Sequence, residues 1–449
     1  MSSCPFHIKE HVVPGQHVRE WARATSHSQD DVVNLHVKQY IPKDNPSPQP
    51  GDVTIIGAHA NGFPKELYEA LWEDLHTRSK ANGFRIRGIW IADVSNQGWS
   101  FQLNEDKLGN DPSWHDHSRD LLHLTNVFRA EMPRPIVGVG HSFGANILTH
   151  LSLLHPRLLT TLVLLDPTII VFDPAKNSGP GSSPARASTW RREVWPSRQA
   201  AVESFQRSPF YRSWDPRVLK TWIENSVRDL PTPLFPELPP DSSSSKPSSD
   251  LPSSTNTHPG VTLRTPKHQE VFTFFRPLWP YITSESSESS PPHNVLKSAV
   301  PDYDPSESSA LAPGPTPYAF YRSEGGIVLK ALPSVRPSAL FVHGTASEIS
   351  KPDIRALRLS TCGVGPGGSG GAKAGRVAEV VMEDKGHLFP MECPDETAAH
   401  AARWIGAEMT RWREEQAEYE SWTKLPTLEK TTMSQEFMDR VGRPKKSKL

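Results

Sequence analysis

Three side chains of this sequence have the types and settings that one reaction needs: Ser142 in GVGHSFGAN, Asp166 at the end of TLVLLD, and His387 in KGHLFP. A serine hydroxyl at its own pKa is a poor nucleophile. A histidine that takes its proton and returns it to a leaving group makes it a good one, and a carboxylate on the other ring nitrogen fixes the tautomer and stabilises the transient imidazolium. Such a set transfers an acyl group to water. Each residue also has a plainer reading: an ordinary serine in a glycine-pinched turn, an aspartate capping the turn before Pro167, and a surface-loop histidine.

The Gly-x-Ser-x-Gly pattern alone proves little, since it occurs twice. Around Ser142 it follows PRPIVGVG, a short β-branched run, and precedes ANILTHLSLLHP, where Ile147, Leu148, Leu151 and Leu154 recur at helical spacing. That is strand, sharp turn, helix, the setting a nucleophile elbow requires. The second copy, Gly367 to Gly371, sits in STCGVGPGGSGGAKAGR and reads as a flexible loop.

Stabilising the oxyanion of acyl transfer takes two backbone donors. The residue after the nucleophile, Phe143, is placed to give one. The loop GAHANGFPKELYEALW is placed to give the other, from Gly62 or Phe63. His59 in that loop reads as a core histidine bonded to loop carbonyls, and Asp93 in IWIADVSNQGWS as a strand-end residue shaping the adjoining loop. Glu348, in VHGTASEIS after a late strand, is a rival to Asp166 for the acid.

These residues must hang on a scaffold, and the chain supplies one. Strand-like runs alternate with helix-like ones: VNLHVKQYI, DVTIIGAH, a helix from about Lys65, RIRGIWIAD, a helix from about Trp114, PIVGVG, the elbow helix and TLVLLD. Alternation of this kind builds a mostly parallel sheet flanked by helices, an α/β fold. The pattern stops after Pro167 and resumes at PSALFVHG, AEVVMED and an amphipathic helix over 396–415. The expected organisation is a first core segment over 1–170, an insertion over 171–330, a second core segment over 331–420 and a tail over 421–449. Within the insertion, 190–230 and 265–279 read as helical, while PELPPDSSSSKPSSDLPSSTNTHPG, TSESSESSPPHN and DPSESSALAPGPTP are too rich in Ser and Pro to fold.

Composition narrows the function. The 449 residues are 36% hydrophobic, enough for a sizeable core, and the net charge of −1 is spread along the chain, which excludes a nucleic-acid footprint or a basic membrane-binding face. Cys4, Cys362 and Cys393 are too few for a disulfide framework, and no Cys/His spacing matches a zinc site. The chemistry calls for no metal and no cofactor. The N-terminus lacks a signal-peptide build, and LLTTLVLLDPTIIVF is too short and too interrupted to span a bilayer. Ser447-Lys448-Leu449 form a receptor-read peroxisomal address, which predicts a matrix protein that meets the peroxisomal import receptor. The C-terminal helix and tail leave a homodimer open.

With the elbow, HANGFPKELYE, LLDPT, GHLFPMECPDETA and the Ser-Lys-Leu end in hand, the chain resembles the fungal peroxisomal α/β-hydrolases, the toxin-biosynthesis group that includes the acyl-CoA hydrolase of mycophenolic acid biosynthesis and the AK-toxin biosynthesis hydrolase. The resemblance implies an α/β-hydrolase fold, with Ser142 as nucleophile, Asp166 rather than Glu348 as acid and His387 as base. It implies a lid over 190–230 and an acyl-CoA thioester substrate with a bulky acyl group. On that reading Trp195, Phe210 and Tyr211 meet the substrate, and Arg191, Arg192, Lys267 and Arg276 are candidates for the CoA phosphates. A carboxylester hydrolase or lipase is the second reading, with an aromatic lid that opens at an interface. A binding protein for a hydrophobic metabolite is the third.

Overall fold

A computed structural model describes residues 4–171, 184–236, 260–278, 282–283, 294–295, 298, 300–303 and 320–443. The runs VTIIGA, IVGVGH, TLVLL and SALFVHG are buried at every position, as expected of parallel strands covered on both faces. Among the described residues eight strands form one sheet. They are β1 (Phe6–Pro14), β2 (Asn34–Pro42), β3 (Val53–Ala58), β4 (Ile86–Ala92), β5 (Ile136–His141), β6 (Thr161–Leu165), β7 (Ser338–Gly344) and β8 (Val377–Met382), ordered β1-β2-β4-β3-β5-β6-β7-β8. The first two strands pair antiparallel with each other and β2 runs antiparallel to β4; from β4 to β8 every pairing is parallel.

Successive strand residues point to opposite faces, so each strand feeds two cores. Ile55, Val163 and Val342 pack under helices α1 (Glu69–Ser79) and α4 (Pro394–Thr423), with Trp72, Leu75, Ile405 and Met409. Their neighbours Ile56, Leu164 and Phe341 pack under α2 (Trp114–Val127) and α3 (Phe143–Leu154), with Leu121, Leu124, Ile147 and Leu148. This is the α/β architecture expected from the alternation.

The differences are local. FHIKEHVVP forms the edge strand β1, which sequence reading missed because most of it is exposed and its apolar residues do not alternate cleanly. The stretch from Lys65 begins as a 3-10 turn, Lys65–Tyr68, before α1. The amphipathic helix expected over 396–415 spans Pro394–Thr423, and two short helices, Thr427–Thr431 and Gln435–Val441, follow it. The glycine-rich loop read as flexible is tied down: Gly363 and Gly365 N–H groups donate to Leu332 and Pro333 carbonyls, and Ser369 N–H to Val335.

The insertion between β6 and β7 contributes the helices Pro184–Trp190, Arg198–Arg207, Pro209–Arg212, Pro216–Asn225 and Lys267–Phe274, and a small sheet of Val194–Trp195, Val261–Leu263 and Val227–Asp229. Ser197 and Asp215 cap two of these helices by accepting the Ala200 and Arg217 N–H groups at 3.1 and 2.8 Å. Phe205, Tyr211, Trp214 and Trp222 form a ring cluster that meets Phe63 of the core edge-on, at 5.7 Å from Trp214. The three Ser/Pro-rich stretches and the Ser447-Lys448-Leu449 end, apart from Pro236, Gly260, Thr283 and Asn294, lie outside the described residues.

Candidate active site

Ser142 sits between β5 and α3 with φ 59° and ψ −122°, a conformation that costs a non-glycine residue on the order of 1–3 kcal/mol. The surroundings hold it there: Ser142 N–H donates to Leu165 O at 2.9 Å and Thr168 N–H donates to Ser142 O at 3.0 Å. Gly144 is required by close approach, since a Cβ there would lie 2.4 Å from Ala58 O. The turn therefore lifts the hydroxyl above the carboxyl end of the sheet.

The later strand ends bring the partners. The Ser142 hydroxyl donates to His387 Nε2 at 2.9 Å, and His387 Nδ1–H donates to Asp166 Oδ2 at 2.6 Å. Asp166 follows β6, and its own N–H donates to Val342 O of β7 at 2.8 Å. The carboxylate is fully buried in a cradle from the loop after β7. Ser347 donates to Oδ2 at 2.5 Å, Ser350 donates to Oδ1, and Arg358 donates to Ser350 Oγ at 3.1 Å. Burial pushes the Asp166 pKa up, but the neighbouring His343, His387 and Ser347 outweigh it and hold the carboxyl well below the usual carboxylate range. Glu348, the rival acid, is solvent-exposed beside this cradle, and the imidazole of His387 bonds to Asp166 instead.

Four further contacts escaped sequence reading. Thr168 Oγ1 lies 3.2 Å from Ser142 Oγ, placed by Asn146 Nδ2, which donates to Thr168 O at 3.1 Å. His141, inside the elbow motif itself, bonds through Nε2 to His387 O at 2.9 Å. Tyr68 reaches His141 Nδ1 from the other side. Only the LLDPT and GHS strings hinted at these; the partners are set by the tertiary fold.

The loop after β3 holds both expected oxyanion donors in hydrogen bonds of its own. Gly62 N–H donates to Gln97 Oε1 at 2.8 Å and Phe63 N–H turns back to Ala60 O at 3.2 Å, so both proposed donors are engaged. Phe143 N–H makes no bond to a described residue. His59 is a core histidine as read: it bonds Ala60 O through Nδ1 and accepts Val94 N–H at Nε2, both at 2.9 Å. Asp93 shapes the same loop, receiving Lys65 Nζ at 2.7 Å and the Lys65 N–H at 2.9 Å.

The aromatic and basic residues of the insertion make the following contacts. Trp195 is 3% exposed and packs edge-on against Phe205 within the insertion. Tyr211 stacks on Trp222, and Phe210 is half exposed. The four basic candidates all have protein partners: Arg191 pairs with Glu270, Arg192 donates to Val194 O, Lys267 pairs with Glu193 at 3.1 Å, and Arg276 is held by Asp111 and Asp302 at 2.7 and 2.8 Å. Arg276 in particular is buried and neutralised, and so is spent for binding phosphate.

Comparison with known proteins agrees with the fold. The model of the alpha/beta hydrolase family matches residues 55–400, and the chain belongs to that family and is a hydrolase. It is 41% identical over 423 residues to the type I acyl-CoA thioesterase mpaH of Penicillium roqueforti, covering 93% of this chain and 92% of that protein. A more distant similarity, 28% over 275 residues, joins it to the abhydrolase domain-containing protein AFT2-1 of Alternaria alternata, covering 61% of this chain and 84% of that one. In fold it is similar to the peroxisomal alpha-beta-hydrolase Lpx1 of Saccharomyces cerevisiae, with a TM-score of 0.62 at 14% identity, covering 96% of this chain and 100% of that one. Among the described residues no helix is long and apolar enough to cross a membrane.

Proposed function

We propose that the protein is a peroxisomal acyl-CoA thioesterase of fungal secondary metabolism that works through an acyl-enzyme on Ser142. The observation that carries the chemistry is the continuous chain from Ser142 Oγ through His387 to Asp166, at 2.9 and 2.6 Å. Ser142 Oγ attacks the thioester carbonyl while His387 Nε2 takes its proton; Asp166 stays ionised and holds the imidazolium. Phe143 N–H receives the oxyanion. A second donor from the loop after β3 requires breaking one of its two bonds, and that from Gly62 goes to a movable side chain, Gln97. Collapse expels the thiolate of CoA, which takes the proton from His387. Water then attacks the acyl-enzyme as His387 accepts its proton, and collapse breaks the ester bond, returns that proton to Ser142 Oγ and releases the acid.

The thioester half of the reading is supported by the likeness to mpaH over nearly the whole of both chains. The compartment rests on the Ser447-Lys448-Leu449 tripeptide, and a fluorescent fusion lacking it should lose punctate localisation. The experiment on the chemistry is free-thiol release from a panel of acyl-CoAs beside p-nitrophenyl ester hydrolysis, for wild type and Ser142→Ala. Thiol release that exceeds ester turnover and disappears in the variant is the expected result. Ester turnover without CoA cleavage moves the protein to the carboxylester hydrolases, a reading favoured by the exposed lid rings Trp190 and Phe210. Silence toward both substrates overturns the proposal in favour of a binding role.

A further inference from the structure

At the opposite end of the parallel strands from Ser142, where they begin, a cavity of about 620 Å³ opens between the strand starts and the C-terminal half of α4. Arg134 stands just ahead of β5, Arg157 in the loop before β6, Arg336 just ahead of β7 and Arg376 just ahead of β8, while α4 supplies Trp412 and Tyr419. Four arginines thus line one cavity, where Glu415 is the single acidic residue among the described lining residues.

The charge is unbalanced. Arg376 is shared between Glu408 and Glu415, both at 3.6 Å, but Arg134, Arg157 and Arg336 make no hydrogen bond or ion pair with any described residue. Elsewhere this fold neutralises its arginines closely: Arg228 meets Glu105 at 2.6 Å, Arg19 meets Asp120 at 2.9 Å and Arg217 meets Asp74 at 2.8 Å. Partial burial and, after it, the neighbouring Arg157 push the pKa of Arg134 down, against an opposing pull from Glu415. Guanidinium groups match phosphate oxygens in a forked geometry, and aromatic rings bind planar bases by stacking. The cavity volume falls in the range of small-molecule sites, about 300–1,000 Å³.

We infer that this cavity is a second ligand site, one that takes a nucleotide-class anion: phosphates against Arg134, Arg157 and Arg336, and a planar base against Trp412 or Tyr419. It lies away from the catalytic constellation and stands whether or not that constellation cleaves CoA esters. The shared chemistry is a phosphorylated adenosine, whose source is either a free nucleotide or the 3′-phospho-ADP end of CoA itself.

Isothermal titration of the full-length Ser142→Ala protein with ADP, adenosine 3′,5′-bisphosphate, free CoA, adenosine and inorganic phosphate tests it. The phosphorylated adenosines should bind at least about tenfold more tightly than adenosine or phosphate alone, and Arg157→Ala/Arg336→Ala should weaken them by about tenfold or more. Both arginines are exposed, so the double variant should melt as the parent does. Binding of CoA alone would assign the site to CoA; binding of all three would assign it to nucleotides at large. Nucleotide binding that survives the double variant lies elsewhere and overturns the inference, as does absence of binding, or phosphate binding as tightly as ADP.

Discussion

The Tyr68 hydroxyl lies 2.9 Å from His141 Nδ1 and accepts the Ala60 N–H at 2.8 Å, so its proton is directed to the imidazole, and His141 Nε2–H goes on to the carbonyl of His387 at 2.9 Å. One buried chain therefore ties the loop after β3, the elbow and the loop carrying the proposed base. Tyr68→Phe and His141→Gln should each lower kcat by about tenfold or more through small displacements of reacting groups, with KM changed less. Steady-state kinetics on the preferred thioester, with melting temperature as control, checks this; equal loss in KM and kcat would contradict a positioning role.

Asp166 is held as an anion by more than its histidine. Asp166→Asn keeps the shape of the side chain but offers His387 the wrong partner, and should cost about 10⁴-fold in kcat. Ser347→Ala removes one donor at 2.5 Å and leaves His387 in place, so its loss should be far smaller. A Glu348→Gln variant should match wild type, because that carboxylate is exposed. Parallel assays of the three variants decide between the acids.

Acid should destabilise the fold before it protonates Asp166. Burial lowers the pKa of His59 to about 4, and burial together with His387 lowers that of His141 to about 3. In the unfolded chain both take protons near pH 6.5, so as pH falls below that value the unfolded state gains protons that the folded state refuses. Stability is then lost at up to about 1.4 kcal/mol per pH unit for each, down to their folded pKa values. Melting temperature measured from pH 7.5 to 5 should fall steadily, and His141→Gln should flatten the slope.

Glu270 is buried with Arg191 and Ser188 as partners, and its carboxyl carbon would lie 2.6 Å from a Cβ at Gly62, whose φ is +81°. The insertion helix Lys267–Phe274 thus rests directly on the loop after β3. Arg191→Ala strands a buried carboxylate, whose pKa burial already raises, and should destabilise by about 3 kcal/mol. Adding Glu270→Gln to Arg191→Ala should recover part of that loss in urea unfolding. Additive losses would show that the two side chains do not act as a pair.

Much of this fold, and the three residues of its candidate site, are legible in the order of the amino acids. The apolar runs of β3, β5, β6 and β7, continuous because both faces are covered, reveal a parallel sheet, and the elbow, LLD and KGH strings follow from strand order. What escapes has a common physical cause. Thr168, Tyr68, Ser350 and Arg358 act through contacts between segments far apart in sequence, where no local period reports them. The edge strand β1 has too little buried surface to impose alternation, and the glycine-rich loop is ordered by carbonyls of Leu332, Pro333 and Val335 that its own composition cannot reveal.

The interruption of the sheet also orders events in time. Thr161 of β6 pairs with Ser338 of β7 across the whole insertion, and Ser142 meets a histidine 245 residues further on. A ribosome makes the elbow early, yet the strands that seat Asp166 and present His387 emerge near the end. Closing so long a loop adds little entropy beyond a shorter one, because the cost grows only logarithmically. The delay is in synthesis, and a nascent or truncated chain ending before β7 carries its serine with no group to take the proton.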